Sequence, residues 1–221
     1  MRDTVVVFAR APRLGTVKRR LARHIGDRAA LRFHVDTLTA LLRDLRRCRR
    51  LDVVLAVTPD RNANVGRGPP GAGYLFRSWT DGTDKPGHNG EGIVPHRQGR
   101  FTIIPQGRGD LGERMARILR RYRRVALMGC DIPDATASDV LAAFKALGRA
   151  DAVFGPAMDG GYWLIAVGPR RPDDLFGNTR WSTEHALADT LRQFRHHRVA
   201  FIRALSDVDT IEDFRRYRRG G

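Results

Sequence analysis

Four stretches of this 221-residue chain combine residue types that can do chemistry. The first is Arg10-Ala11-Pro12-Arg13-Leu14-Gly15-Thr16-Val17-Lys18-Arg19-Arg20-Leu21, a glycine-containing loop with five cations that opens toward a helix. Such a loop suits a diphosphate or triphosphate, because backbone N–H groups approach closely and cations offset oxygen charge. The Walker spacing and the G-x-G-x-x-G spacing are both absent, and a solvated helix start carries the same signature. The second stretch is Cys130-Asp131-Ile132-Pro133, straight after the apolar run Val125–Gly129. A carboxylate leaving a central strand is where an α/β enzyme places a Mg²⁺ ligand. Helix capping is the competing role for Asp131, but Thr136 to Asp139 already offers a capping box there.

The third stretch, Pro156-Ala157-Met158-Asp159-Gly160-Gly161-Tyr162, puts another aspartate at a strand end. Its glycines let a ligand reach the backbone, although an Asp-Gly hairpin turn reads the same way. In the fourth, Ser206-Asp207-Val208-Asp209-Thr210-Ile211-Glu212-Asp213, the Thr210/Asp213 pair reads as a capping box and leaves Asp207 and Asp209 over. Either can close a metal site begun by Asp131, since Mg²⁺ typically takes one or two carboxylates plus substrate phosphate. Gln106, after the strand at 101–105, is placed to pair with a nucleobase edge, while Asp110 with Glu113 has the spacing of a further capping box.

Other chemistries fail on inventory. None of the seven histidines (24, 34, 88, 96, 185, 196, 197) has a zinc spacing, and there is no G-x-S-x-G elbow. Cys130 lacks a histidine partner in the sequence and reads as a packing residue.

These residues need elements to position them. Apolar runs predict strands at Thr4–Ala9, Leu51–Val57, Phe101–Pro105, Val125–Gly129, Ala152–Phe154, Tyr162–Val167 and Val199–Ile202. Helical spacing predicts helices over about 27–49 (Leu31, Val35, Leu38, Leu42, Leu45), from Leu111 (with Met115, Ile118, Tyr122), and over about 138–147, 183–196 and 211–217. Short apolar strands alternating with amphipathic helices specify a three-layer α/β sandwich with a mostly parallel central sheet. Ligands in such folds bind past the carboxyl ends of strands, where all four stretches fall. The expectation is one domain over 1–221, with an irregular, Gly/Pro-rich insertion at about 59–100.

Composition narrows the class. With 42% hydrophobic residues the chain can bury a core. Two cysteines make no disulfide framework, and no apolar run reaches the ~20 residues of a membrane span. A cytoplasmic protein without membrane association is expected. The net charge of +16 comes from 40 basic residues, 37 of them arginine, against 24 acidic ones. The arginines are spread along the chain without aromatic interleaving, so solvated helix faces are preferred over a nucleic-acid surface.

The segments FARAPRLGTVKRRLA (8–22), QGRGDLGERM (106–115), MGCDIPD (128–134), FGPAMDGGYWLIAV (154–167), RWSTEHAL (180–187) and DVDTIEDF (207–214) together resemble the bacterial DUF2064 proteins. That family is a branch of the GT-A-like (Rossmann-like) nucleotide-diphospho-sugar transferase superfamily. Its members are assigned as arsenosugar-biosynthesis-type glycosyltransferases or radical SAM/selenodomain-associated transferases. A more distant similarity reaches phospholactate guanylyltransferases and molybdenum-cofactor nucleotidyltransferases. The resemblance implies a nucleotide-diphosphate sugar donor, a small-molecule acceptor and Mg²⁺ (or Mn²⁺). It implies that Ala9, Arg10, Pro12, Gly15, Lys18 and Arg20 surround the donor phosphates, with Gln106, Gly109 and Asp110 beside the nucleotide. Asp131 and Asp209 would hold the metal. Asp159, Gly160, Gly161, Tyr162 and Trp181 would line the acceptor side, with Asp131, Asp159 and Lys18 as the catalytic set. The family's usual K-T-R-L reads Lys18-Arg19-Arg20-Leu21 here. Two alternatives stand beside glycosyl transfer: nucleotidyl transfer releasing pyrophosphate from a triphosphate, and a non-enzymatic basic protein that binds nucleic acid.

Overall fold

The computed structural model describes residues 2–59, 96–98 and 101–220, so most of the expected insertion at 59–100 lies outside the described residues. Among the described residues eight strands form one sheet: β1 (Asp3–Arg10), β2 (Leu51–Thr58), β3 (His96–Gln98), β4 (Phe101–Pro105), β5 (Val125–Gly129), β6 (Ala152–Pro156), β7 (Tyr162–Val167) and β8 (Val199–Phe201). Their spatial order is β3-β4-β2-β1-β5-β7-β6-β8. β1 pairs in parallel with both β2 and β5, β2 with β4, and β6 with β8. β7 runs antiparallel between β5 and β6, and β3 antiparallel on β4. The chain therefore builds outward from β1 to β2 and β4, then crosses back to β5 on the other side of β1. That reversal opens a crevice past the carboxyl ends of β1 and β5.

Among the described residues six helices cover the sheet: α1 (Arg19–Ile25), α2 (Asp27–Arg47), α3 (Leu111–Leu119), α4 (Ala137–Ala146), α5 (Ala186–Gln193) and α6 (Ile211–Gly220). Alternate strand residues feed two cores, as the pleat requires. Val5, Val7, Leu55 and Met128 face α2 and α4 through Leu38, Leu42, Leu45, Val140 and Phe144. Val6, Ala56, Leu127 and Phe154 face α3 and α5 through Met115, Ile118, Leu119 and Phe194. This is the expected three-layer sandwich.

Three local outcomes differ from the sequence reading. Residues 19–25 form a short helix, α1, where only a loop and a helix start were expected. The α2 stripe is rotated by about one residue: Ala30, His34, Thr37, Leu38, Leu41, Leu42 and Leu45 are buried, while Leu31 and Val35 are half-buried. The helix expected over 183–196 is confined to Ala186–Gln193. Its N-terminal approach carries left-handed residues Asn178 (φ 58°) and Ser182 (φ 60°). That approach is held by buried Asp189, which accepts hydrogen bonds from the Arg180 backbone and guanidinium and from Arg192.

Candidate active site

Lys18 ends the loop after β1 in the left-handed conformation (φ 48°, ψ 44°), a strained state for a residue with a Cβ. Its side chain is only 5% exposed, and its Nζ donates to Asp131 Oδ2 at 2.9 Å and lies 3.8 Å from Asp209 Oδ1. Arg20, exposed on α1, reaches Asp209 Oδ2 at 3.2 Å. One ammonium thus bridges two carboxylates that are 78 positions apart in sequence. Burial by itself would lower the Lys18 pKa, but the Asp131 charge and hydrogen bond, then Asp209, outweigh it and hold the pKa above the ordinary lysine value. Burial would likewise raise Asp131, yet Lys18 holds its carboxyl below the usual range. The late loop is fastened here by its backbone: Val208 N–H donates to the Asp131 carbonyl and Leu205 N–H to Pro156.

Asp207 faces the same negative cluster without an ion pair of its own among the described residues. Burial first, then the charge of Asp131, with smaller contributions from Asp159 and Asp209 and an opposing pull from Lys18, push its carboxyl up to about 6. Asp159 turns back to accept from Gly161 N–H at 2.9 Å. Gly160 at φ 84° is required at that turn, because a Cβ there would sit 2.2 Å from the Glu184 carbonyl oxygen. The turn read as either hairpin or ligand site is therefore a genuine Asp-Gly turn that also faces the crevice.

Two cavities meet at these carboxylates. One, of about 250 Å³, is bounded by Phe8, Met115, Leu127, Tyr162, Trp163 and Trp181, with Asp131, Asp159 and Asp207 also in its wall. The other, of about 630 Å³, is walled by Arg20, Asp159, Asp207, Asp209, Asp213 and Arg216 among others. Tyr162 and Trp181 are in edge contact (6.4 Å between centroids), and Trp181 lies against Gly112 at the start of α3.

Two sets of the residues named from sequence are brought together. Lys18, Arg20, Asp131 and Asp209 are joined by ion pairs, and Asp159, Gly161, Tyr162 and Trp181 share the smaller cavity with Asp131. Ala9 and Pro12 are buried, Arg10 spends a guanidinium N–H on the Thr16 carbonyl, and Gly15 (φ 71°) makes an exposed turn. Gln106 is a correction. It is 3% exposed, its amide donates to the Ala9 and Ala56 carbonyls, and its Oε1 accepts from Arg114 at 2.7 Å. It ties the loop after β4 to the end of β1 rather than presenting an edge to a base. Asp110 closes a full capping box with Glu113, and Gly109 (φ 105°) makes room for the Glu113 carboxylate. Cys130 is buried, with its thiol pushed up to about 12, as a packing residue should be.

His34 was not singled out from sequence. Its Nε2 lies 3.1 Å from the Arg10 carbonyl, and burial holds its pKa below the usual histidine value. It anchors the loop that carries Lys18 from beneath. The one available signal was its place four residues before Leu38 on the buried stripe.

The donor set fits a hard divalent cation. Asp131 and Asp209 already share one positive charge through oxygen, which is the one-or-two-carboxylate count that Mg²⁺ uses when substrate phosphates complete its shell. Among the described residues no three His, Cys, Asp or Glu side chains are grouped so that they could hold a metal ion by themselves.

A family model described as an uncharacterized protein conserved in bacteria, DUF2064, matches residues 41–183. The chain belongs to the DUF2064 family. Among solved structures, this DUF2064 protein is similar to a proposed nucleotide-diphospho-sugar transferase from Desulfovibrio desulfuricans G20: 28% identity, 100% of this chain, 88% of that one, TM-score 0.78. It shares a fold with Rv0371c from Mycobacterium tuberculosis H37Rv (17% identity, 98% and 97% coverage, TM-score 0.53). It also shares one with 4-diphosphocytidyl-2C-methyl-D-erythritol synthase from Anaerococcus prevotii DSM 20548 (11% identity, 99% of both chains, TM-score 0.54). No curated protein matches the sequence. The fold is that of the GT-A-like nucleotide-sugar transferases and nucleotidyltransferases. Among the described residues, no helix is long and apolar enough to cross a membrane.

Proposed function

We propose that this DUF2064 protein is a Mg²⁺-dependent (or Mn²⁺-dependent) glycosyltransferase that takes a nucleotide-diphosphate sugar as donor and a small molecule as acceptor. The observation that carries this reading is the Lys18 ammonium, 2.9 Å from Asp131 and 3.8 Å from Asp209, past the ends of β1 and β5 and beside a cavity. The solved Desulfovibrio relative, covered along the whole of this chain, supports the donor class.

When bound by Asp131 and Asp209, the divalent ion would supply a Lewis acid for the donor diphosphate. The chain's own residues do the rest. Lys18 keeps the Asp131 carboxylate ionised, holds Asp209 beside it, and adds a fixed positive charge where the leaving diphosphate develops negative charge. Arg20, 71% exposed, can turn from Asp209 to a phosphate oxygen at little cost. Asp159, in the wall of both cavities, takes the proton of the acceptor hydroxyl as that oxygen bonds to the sugar and the anomeric carbon–phosphate oxygen bond breaks. Tyr162 and Trp181 hold the acceptor against the Gly160–Gly161 turn.

The test is a product assay. Protein with Mg²⁺ is offered panels of nucleotide sugars and of nucleoside triphosphates, and products are separated by anion exchange. Release of nucleoside diphosphate from a nucleotide sugar, abolished in Asp131→Asn, is the expected result. Pyrophosphate release from a triphosphate would replace this reading with nucleotidyl transfer.

A further inference from the structure

The smaller cavity has a chemistry of its own. Its wall is made by Phe8, Met115 and Leu127 from one core, and by the rings of Tyr162, Trp163 and Trp181. Two of those rings have their polar handles turned to other partners. The Tyr162 hydroxyl lies 3.4 Å from Thr190 Oγ1, and the Trp163 indole N–H donates to the Arg203 carbonyl at 3.2 Å. The ring surface they present is therefore apolar. The polar groups of the wall are Asp131, Asp159 and Asp207 with Ser182 and Thr183, and all of these except Asp131 also line the larger cavity. The volume of about 250 Å³ exceeds the roughly 150 Å³ of an apolar cavity known to take up benzene.

We propose that this chamber binds the apolar body of the acceptor, and that the acceptor is an aromatic or compact aliphatic alcohol rather than a polyol or sugar. The hydroxyl sits at the carboxylate side, toward Asp159 and Asp207, and the hydrocarbon part fills the space between Met115 and Trp181. A polyol would strand hydroxyl groups against Phe8, Leu127 and the Trp163 ring, where they find no partners. A hydroxyl on an apolar group loses nothing there. This inference rests on the transferase reading for the word acceptor, but the shape and lining of the chamber do not depend on it.

The experiment is binding of benzyl alcohol, with glycerol and sorbitol as polar comparators, followed by tryptophan fluorescence and ligand-observed NMR without nucleotide. Benzyl alcohol is expected to bind and the polyols not to bind at tenfold higher concentration. Ala186, 6% exposed in the chamber wall, is replaced to fill the space. Ala186→Phe is expected to weaken benzyl alcohol binding at least tenfold. Leu111→Phe, from the half-buried start of α3 in the same wall, repeats the test if Ala186→Phe does not fold. Melting curves of each variant show that it is folded. Equal binding by the wild type and the filled variants, or binding of sorbitol as strong as that of benzyl alcohol, would overturn the proposal. So would displacement of benzyl alcohol by free nucleosides, since the chamber would then hold the base. A parallel thermal-shift series with nucleotide sugars and Mg²⁺ keeps the two ideas apart. Its failure removes the donor reading and leaves the chamber's preference standing, while failure of the benzyl alcohol series does the opposite.

Discussion

At the residue scale seven of the aspartates fall into two sets. Asp139, Asp151 and Asp189 are each bound to arginines that fix a loop or strand end. Asp131, Asp159, Asp207 and Asp209 crowd one crevice with Lys18 as their buried counter-charge. Replacing Asp131 by Asn removes the closest partner of that ammonium and half of the proposed metal pair. We expect kcat/KM to fall by about 100-fold or more, measured once a donor is known. Asp207 gives a test that needs no substrate. Its carboxyl is raised to about 6 when folded, against about 3.9 in an unfolded chain, so between those values the native state holds the extra proton. Stability from this group therefore falls as pH rises from about 4 through 6. Without metal, Asp207→Asn should be more stable than wild type at pH 7.5, with the gain shrinking toward pH 4.5. Urea unfolding at the two pH values measures this, and a gain that does not change with pH would contradict it. The individual carboxylates were readable from sequence because each follows an apolar run. Gln106 and His34 were misread or missed because their partners, the Ala9, Ala56 and Arg10 carbonyls, are backbone atoms brought near only by the fold.

At the element scale, seven of the strands were legible because both sheet faces are covered and each strand reads as a mostly apolar run. α1 was not, since it is seven residues long with one buried side chain, Leu21, and starts from a left-handed lysine. The N-terminal part of the 183–196 segment scores as helix on spacing alone. In the fold it is drawn instead against the Gly160 turn, where Leu187 N–H donates to the Gly160 carbonyl and Asp189 holds Arg180. That contact predicts a sharp effect: Gly160→Ala forces a Cβ into the Glu184 backbone and a non-glycine residue to φ 84°. A loss of about 1–3 kcal/mol of stability is expected from the backbone strain alone. Wild-type stability in the variant, by denaturant titration, would show that the 160–184 approach is not what fixes this wall of the crevice.

At the scale of the whole molecule, the net charge of +16 and the four-carboxylate crevice pull in opposite directions. A general positive field draws anions toward the protein, and on the proposed reading the crevice would accept a phosphate only when a cation offsets its aspartates. Duplex DNA binding through dispersed arginines should therefore be weak and should vanish near physiological salt, which a fluorescence-anisotropy titration over salt concentration would show. The fold class was legible because strands and helices alternate along the chain. From the residues alone Asp207 and Asp209 were equal partners for Asp131, and only the resemblance singled out Asp209, because the pairing depends on the last loop returning beside β6 and β5 through Leu205 and Val208. The most direct test of the account is calorimetric titration of a nucleotide-diphosphate sugar into the wild type, Asp131→Asn and Asp209→Asn, with and without Mg²⁺. The account predicts that wild-type binding strengthens at least tenfold with Mg²⁺ and that either substitution removes the dependence. Binding that ignores Mg²⁺, or variants that keep the full Mg²⁺ effect, would contradict it.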